Sequence, residues 1–273
     1  MDFQLKTLDT ARAAIEKADA LVVLVPDTFA PTGDDTIAAT LAAARTAGDF
    51  EPKPGKLLAL YRPPGVAAAR VVIAGAGDGQ PQAVRQAVTA AVSSLKAMPG
   101  VRRIVVLLPA GMPQPGAAVR AAVNAAADAC YVYTTTKPKA DARRIERVVV
   151  GVAAADAASV KTEFDHARAQ VVGVEFAKEW GNRPPNHATP TLLGEAARTL
   201  AKFPRLKVEV LGPREVSRLG MGSFMAVSPA FARAAAKVSS VANNPLRTPP
   251  SATTQAPVSV AMSTTARGLK RSA

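Results

Sequence analysis

The sequence is poor in the residues that usually announce chemistry. A single cysteine, Cys130, among 273 residues excludes an intramolecular disulfide framework and any multi-cysteine zinc site. It sits in an alanine-rich helical pattern, which reads as a buried structural thiol. The two histidines, His166 and His187, lie about twenty residues apart and match no zinc-ligand spacing. Both read as solvated or locally hydrogen-bonded side chains. Aromatic residues make up only 4%, so the core must be assembled from many small contacts. The longest apolar runs, Leu21–Val25 and Val101–Leu108, fall far short of the ~20 residues of a membrane helix. The opening residues set Asp2 and Asp9 around Lys6, without the basic cap and apolar stretch of a secretory leader. A cytoplasmic protein with no membrane partner is the expectation. Acidic residues are missing altogether after Val227.

What the chain does have is apolar content and positive charge. Apolar residues reach 48%, enough for a proper core in one large or two ordinary domains. The net charge is +13, of which +6 falls in residues 231–273 and +7 in the remaining 230. The part expected to fold is therefore only mildly basic. The tail could bind nucleic acid weakly by counterion release, yet beyond Phe231 it has no aromatic on which bases would stack. Ala, Ser, Thr, Pro, Arg and Val dominate it and no turn or strand signals stand out. Residues 229–273 are expected to be a basic, disordered tail.

Before that tail, strands and helices alternate. Ala20–Val25, Lys56–Tyr61, Arg70–Ala74, Val101–Leu108 and Arg144–Val152 read as strands. Thr36–Ala47 reads as a helix closed by Gly48. Two longer helices run from Pro81 to about Met98 and from Gly116 to about Tyr133, the first opened by a proline that suits the first turn. The crossovers are long enough for parallel pairing, so residues 1–155 are expected to form a layered α/β domain with a mostly parallel sheet.

A long helix follows, with Val160, Phe164, Ala167, Val171, Val174, Ala177 and Trp180 recurring every three or four residues as one apolar face. It stops at Gly181. Pro184, Pro185 and Pro190 lack amide donors and hold the next stretch extended. Thr189 then caps a helix that begins at Pro190 and runs to about Lys202. Leu206–Leu211 reads as a strand, Pro213–Leu219 as a short helix, Gly220–Gly222 as a turn and Phe224–Val227 as a further strand.

These pieces, in this order, resemble the leucyl, or cytosol, aminopeptidases. The resemblance is carried by the long helix, Trp180-Gly181-Asn182, Pro184-Pro185-Asn186, Thr189-Pro190, Leu206-Lys207-Val208-Glu209-Val210, and Leu219 through Val227. It is close over residues 160–228 and weaker before them. It implies a linker helix at 156–181 and the start of a peptidase domain at 182–228, left incomplete. Members of that family are hexamers that release N-terminal residues from peptides, using two divalent metals, manganese or zinc, to activate water and polarise the scissile carbonyl. Some bacterial relatives also serve as DNA-binding accessory proteins.

The resemblance also implies where the ligands belong, around a Gly-Lys-Gly segment leading to Thr-Phe-Asp and around Asn-Thr-Asp-Ala-Glu-Gly-Arg. Neither segment occurs in this sequence, and hard divalent cations need carboxylates. No catalytic, cofactor-binding or metal-ligating residue can be carried over. The expectation is an aminopeptidase by descent, truncated or frameshifted near Ser228 and inactive as it stands; the alternative is a DNA-binding or subunit-assembly module without catalysis. Other candidates offer little. Gly75-Ala76-Gly77-Asp78-Gly79-Gln80 occupies the place of a phosphate loop but lacks the full glycine fingerprint, so a tight strand-to-helix connection explains it as well. Asp78 complements a helix start. Asn182 and Asn186 read as turn formers, and Ser223 and Ser228 have no nearby acid or histidine partner.

Overall fold

Runs of Val, Ile, Leu and Ala that carry no alternation of polarity make strands only when both faces are covered, and the core of this protein is built from such runs. The computed structural model describes residues 1–29, 36–137, 139–204, 206–227 and 259–263. They fall into two compact units, Met1–Glu179 and Trp180–Ala273.

In the first unit the order is β1 (Asp2–Thr7), α1 (Thr10–Ile15), β2 (Ala20–Pro26), α2 (Thr36–Ala47), β3 (Leu57–Tyr61), β4 (Arg70–Gly77), α3 (Pro81–Lys96), β5 (Arg103–Leu107), α4 (Pro115–Cys130), β6 (Arg147–Val152) and α5 (Ala157–Gly181), whose last residues pass into the second unit. The sheet order is β1-β6-β5-β2-β4-β3, parallel throughout except for the antiparallel β3–β4 pair. The α/β expectation with a mostly parallel sheet holds. Strand β1 and helix α1 are additional to the elements read from the sequence; alternation in Phe3 and Leu5 and the cap at Asp9, whose carboxylate accepts from the Arg12 amide at 2.7 Å, are their signals.

The chain moves one way across the sheet from β1 to β2 to β4 and the other way from β4 to β5 to β6. Right-handed crossovers then send α1 and α2 to one face and α3 and α4 to the other. Side-chain alternation agrees. Val22, Leu24, Val72, Ala74, Ile104, Val106, Val148 and Val150 face α3, α4 and α5, while Leu21, Val23, Val25, Val71, Ile73, Val105, Leu107 and Val149 face α1 and α2. Helices α3 and α4 meet through Ala87, Val88, Ala91, Val119, Ala122 and Ala126, small residues that leave little side-chain bulk between them.

Helix α5 docks through Val160, Phe164, Ala167 and Val171, all buried. The single apolar face read from the sequence stops there. Val174 is 38% exposed and Ala177 is also exposed. Beyond Val171 the helix is held by ion pairs that periodicity does not reveal, Lys178 with Asp128 of α4 and Glu175 with Arg143.

The second unit contains α6 (Pro190–Thr199), one 3-10 turn (Leu200–Lys202), β7 (Lys207–Leu211), α7 (Pro213–Arg218), α8 (Gly222–Val227) and β8 (Ser259–Ser263). Two expectations are corrected here. Phe224–Val227 is the body of α8 rather than a strand; a four-residue apolar run fits either state, and Gly222 opens a helical turn in which Met225 donates its amide to the Met221 carbonyl. The tail was expected to contain no strand, yet Ser259–Ser263 pairs antiparallel with β7, Val208 opposite Met262 and Val210 opposite Val260. The small and apolar alternation of Ser-Val-Ala-Met-Ser is a strand pattern that composition alone hides. β7 thus has a sheet neighbour. The rest of the expected disordered tail, 229–258 and 264–273, lies outside the described residues.

Candidate functional site

The strongest sequence motif, the proline loop, is built from local rules. Helix α5 ends at Gly181, and the Arg183 guanidinium stacks 3.9 Å from the centroid of the Trp180 ring, a close cation–π contact. His187 donates its amide to the Pro184 carbonyl at 2.8 Å, which closes a turn over Pro185 and Asn186. Thr189 then accepts from the Leu192 amide at 3.4 Å and Pro190 takes the first helical position. Asn186 and His187 are exposed, as is Asn182. The loop joins α5 to α6.

What precedes the loop is held firmly. Asp128 of α4 takes Lys178 at 2.6 Å and Arg85 of α3 at 2.7 Å. Asn124 donates to Gln170 at 2.9 Å, Arg120 pairs with Glu163 at 3.0 Å, Arg143 pairs with Glu175, and Thr135 donates to Glu179. This polar seam flanks the apolar contact and fixes α5 within the first unit as far as Glu179. Glu163 and Gln170 lie on one side of the apolar face and Glu175 and Glu179 on the other, with Lys178 on the face itself, so no single polar stripe in the sequence announces the seam.

The other candidates separate. His166 is exposed on α5 and far in sequence from the exposed His187. Asp165 beside it is held below the usual carboxylate range by a hydrogen bond from Lys161. Cys130 is buried and its thiol is pushed up to about 11 by burial, so it is protonated and inert at neutral pH. Ser223 is exposed, and Ser228 lies outside the described residues.

The glycine turn is filled by protein. A β-carbon on Gly75 would lie 2.3 Å from the Lys53 carbonyl oxygen, and one on Gly79 would lie 3.0 Å from Pro113. Gly77 and Gly79 adopt φ of 51° and 71°, which accounts for glycine at both. Asp78 accepts from the Gln80 amide at 3.0 Å at the mouth of α3. A tight connection, with no cradle for phosphate, is what these residues make.

A cavity of about 290 Å³ is lined by Lys96, Cys130, Val132, Arg143, Arg144 and Ile145 among others. Its cations are engaged at helix ends. Lys96 donates to the Ala129 carbonyl at 3.1 Å, Arg143 to the Cys130 carbonyl at 3.1 Å and Arg144 to the Ala97 carbonyl at 3.0 Å. They satisfy and charge-balance the C-termini of α3 and α4, and this explains a basic cavity without a ligand. Asp19 does the corresponding work at the start of β5, its carboxylate accepting from the Arg102 and Arg103 amides at 2.9 and 2.8 Å.

The described residues do not fit a pair of divalent cations. Among the described residues, no three of His, Cys, Asp and Glu come together, and Asp128 and Glu16 already hold two cations each.

The first unit is thus a doubly wound α/β domain ending in a rigidly docked helix. Residues 20–140 match the model of the cytosol aminopeptidase family, N-terminal domain. The chain is 55% identical over 228 residues to a probable cytosol aminopeptidase of Polaromonas sp. and 57% identical over 233 residues to one of Variovorax paradoxus, each match covering 84% of this chain and 44% of the relative. It belongs to the leucyl (cytosol) aminopeptidase family, of which it carries the N-terminal part. The chain spans less than half the length of these curated relatives. Among solved structures, a tomato leucine aminopeptidase variant superposes with a TM-score of 0.65 at 19% identity, covering 84% of this chain and 48% of the other. The bottromycin maturation enzyme BotP in complex with Mn gives 0.55 at 21%, covering 75% and 40%. Both likenesses concern the fold. No described helix is long and apolar enough to cross a membrane.

Proposed function

We propose that this chain is the N-terminal part of a metal-dependent leucyl aminopeptidase and that its 273 residues by themselves release no amino acids from peptides. The supporting observation is the identity of more than half over 228 residues to relatives named probable cytosol aminopeptidase, of which that match spans 44%. In this reading residues 1–155 are the N-terminal domain, 156–181 the linker helix and 182–228 the opening of the peptidase domain. Cytoplasmic residence and homo-oligomeric assembly belong to the same reading. Two divalent metals would supply the chemistry in a complete relative, activating water and polarising the peptide carbonyl. The residues of this chain contribute position. The seam of Asp128, Lys178, Gln170 and Glu175 holds the linker helix, and the Trp180–Arg183 stack and the Pro184–His187 turn order the loop that follows it.

Lack of activity in this chain rests on the absence of the Gly-Lys-Gly and Asn-Thr-Asp-Ala-Glu-Gly-Arg segments and of any acid after Glu215. The test is hydrolysis of leucine amide by the purified chain with added manganese. No turnover is expected, and turnover that co-purifies with the protein and disappears on chelation overturns the proposal. A frameshift near codon 228 is part of it. Translating the coding DNA beyond that codon in the other frames should recover both segments, and their absence from every frame removes this part.

A further inference from the structure

The edge strand β3 reads Leu-Leu-Ala-Leu-Tyr, with no charge or proline inside it to discourage pairing. Among the described residues its sole strand partner is β4. The ladder to β4 runs through alternate residues: Gly75 donates to the Lys56 carbonyl at 2.9 Å and Arg62 donates to the Ala69 carbonyl at 2.8 Å. Antiparallel alternation then assigns Leu58 and Leu60 to β4 and turns the N–H and C=O of Leu57, Ala59 and Tyr61 outward. Cations stand at both ends of this row. Lys56 precedes it, and at the far end the guanidinium groups of Arg62 and Arg70 lie 5.7 and 6.0 Å from the centroid of the Tyr61 ring. Arg62 takes a φ of 47°, in the left-handed region, immediately before Pro63. Among the described residues no ion pair joins Lys56, Arg62 or Arg70 to a carboxylate; Glu51, on which Lys56 acts only through space, is bound by Lys53 at 2.7 Å. Tyr61 is 69% exposed.

We infer that β3 is a docking edge for an extended peptide segment of another protein, acidic at both ends, which adds to the sheet as a further strand. Three features select that occupant. Outward N–H and C=O groups alternate along the edge, and another backbone satisfies both, whereas a phosphate chain satisfies the donors and is repelled by the carbonyls. The row from Lys56 to Arg62 spans about 20 Å, the length of a short strand, so acids at its two ends meet the two cationic groups. A second copy of this chain fits worse. Antiparallel pairing centred on Ala59 would set Lys56 of each copy opposite Arg62 of the other, placing like charges face to face twice.

The test uses the full chain and fluorescence anisotropy of a labelled peptide Glu-Glu-Val-Thr-Val-Thr-Glu-Glu, compared with the same peptide carrying Lys in place of Glu. Ala59→Pro removes an outward N–H while sparing the β4 ladder, and Ala59→Val is its control. The acidic peptide should bind to the wild type and to Ala59→Val, and about tenfold or more weakly to Ala59→Pro, as expected when strand hydrogen bonds are lost. The double variant Arg62→Glu and Arg70→Glu, which leaves the backbone untouched, should weaken the acidic peptide and favour the lysine peptide. The far-UV circular dichroism of each variant should match the wild type. The proposal is overturned if the acidic peptide does not bind the wild type, if Ala59→Pro binds it undiminished, or if the two peptides bind alike. Sedimentation as a dimer that Ala59→Pro dissociates would assign the edge to a second copy. Binding of oligothymidylate that Ala59→Pro leaves intact, with no peptide binding, would make it a polyanion surface.

Discussion

Replacing Gly75 with alanine tests how the glycine turn at the end of β4 is packed. The new methyl group would sit 2.3 Å from the Lys53 carbonyl oxygen, 2.6 Å from the Pro52 carbonyl carbon and 2.8 Å from the Pro52 carbonyl oxygen. All three atoms are backbone, so no side chain can rotate away. The 52–56 segment is tied where it lies, because Gly75 donates to the Lys56 carbonyl at 2.9 Å and Gly77 to the Pro52 carbonyl at 2.7 Å, and the Pro52 ring leaves φ little freedom. Overpacking of this kind costs about 1–3 kcal/mol, and displacing the segment weakens one hydrogen bond worth about 0.5–1.5 kcal/mol. The sum, about 1.5–4.5 kcal/mol, corresponds to a fall of roughly 3–18 °C in Tm for a unit of this size. The measurement is thermal unfolding followed by circular dichroism, with amide exchange reporting on β4. Gly100→Ala is the control, since its β-carbon meets nothing within 4 Å and its backbone is not left-handed. That variant should be neutral or slightly stabilised, by up to about 1 kcal/mol. A Gly75→Ala protein that melts with the wild type would refute the packing described for this turn and reopen the space as a cradle.

Two further outcomes are expected. Phe164→Ala removes the largest buried side chain beneath α5, 3% exposed, and should cost about 3–5 kcal/mol; amide exchange should rise first over 157–171, and a rise spread evenly over α3 would contradict the docking described. Burial raises the Cys130 thiol from 9.0 to about 11, so the folded state holds a proton that the unfolded chain releases. Stability from this group is intact below pH 9 and falls as pH rises from 9 to 11, by about 3 kcal/mol at most. Urea unfolding across that range, compared with Cys130→Ala, measures it; an equal pH slope in both proteins would show that the thiol is not the cause.

Much of the architecture was legible because local rules and burial pointed the same way. Helix α2 occupies Thr36–Ala47 as read, and α3, α4 and α6 each begin at a proline in the first helical turn. Strands β2, β4, β5 and β6 of the parallel sheet were visible as apolar runs. Short elements were the failures. Strand β1 and helix α1 have six residues each, and α8 and β8 have six and five, too few for periodicity to separate one state from another. The far end of α5 misled for a different reason: Val174 and Ala177 continue the apolar spacing, but Asp128, Glu175 and Lys178 make the contact there.

By itself the sequence determined the family, through the order of its helix, proline loop and strand patterns, and it shows that neither Gly-Lys-Gly nor Asn-Thr-Asp-Ala-Glu-Gly-Arg occurs in this chain. Those are properties of residue type and spacing, which need no coordinates. The tertiary structure alone decided which charged groups are engaged. The cations of the Cys130 cavity proved to cap helix ends, the glycine loop proved to be filled by Pro52–Pro54 and Pro113, and Lys56, Arg62 and Arg70 were left without described acids beside an outward-facing backbone. Such assignments depend on distances between residues remote in sequence, and an ion pair or a packed surface exists only once the chain has brought both partners within a few ångströms.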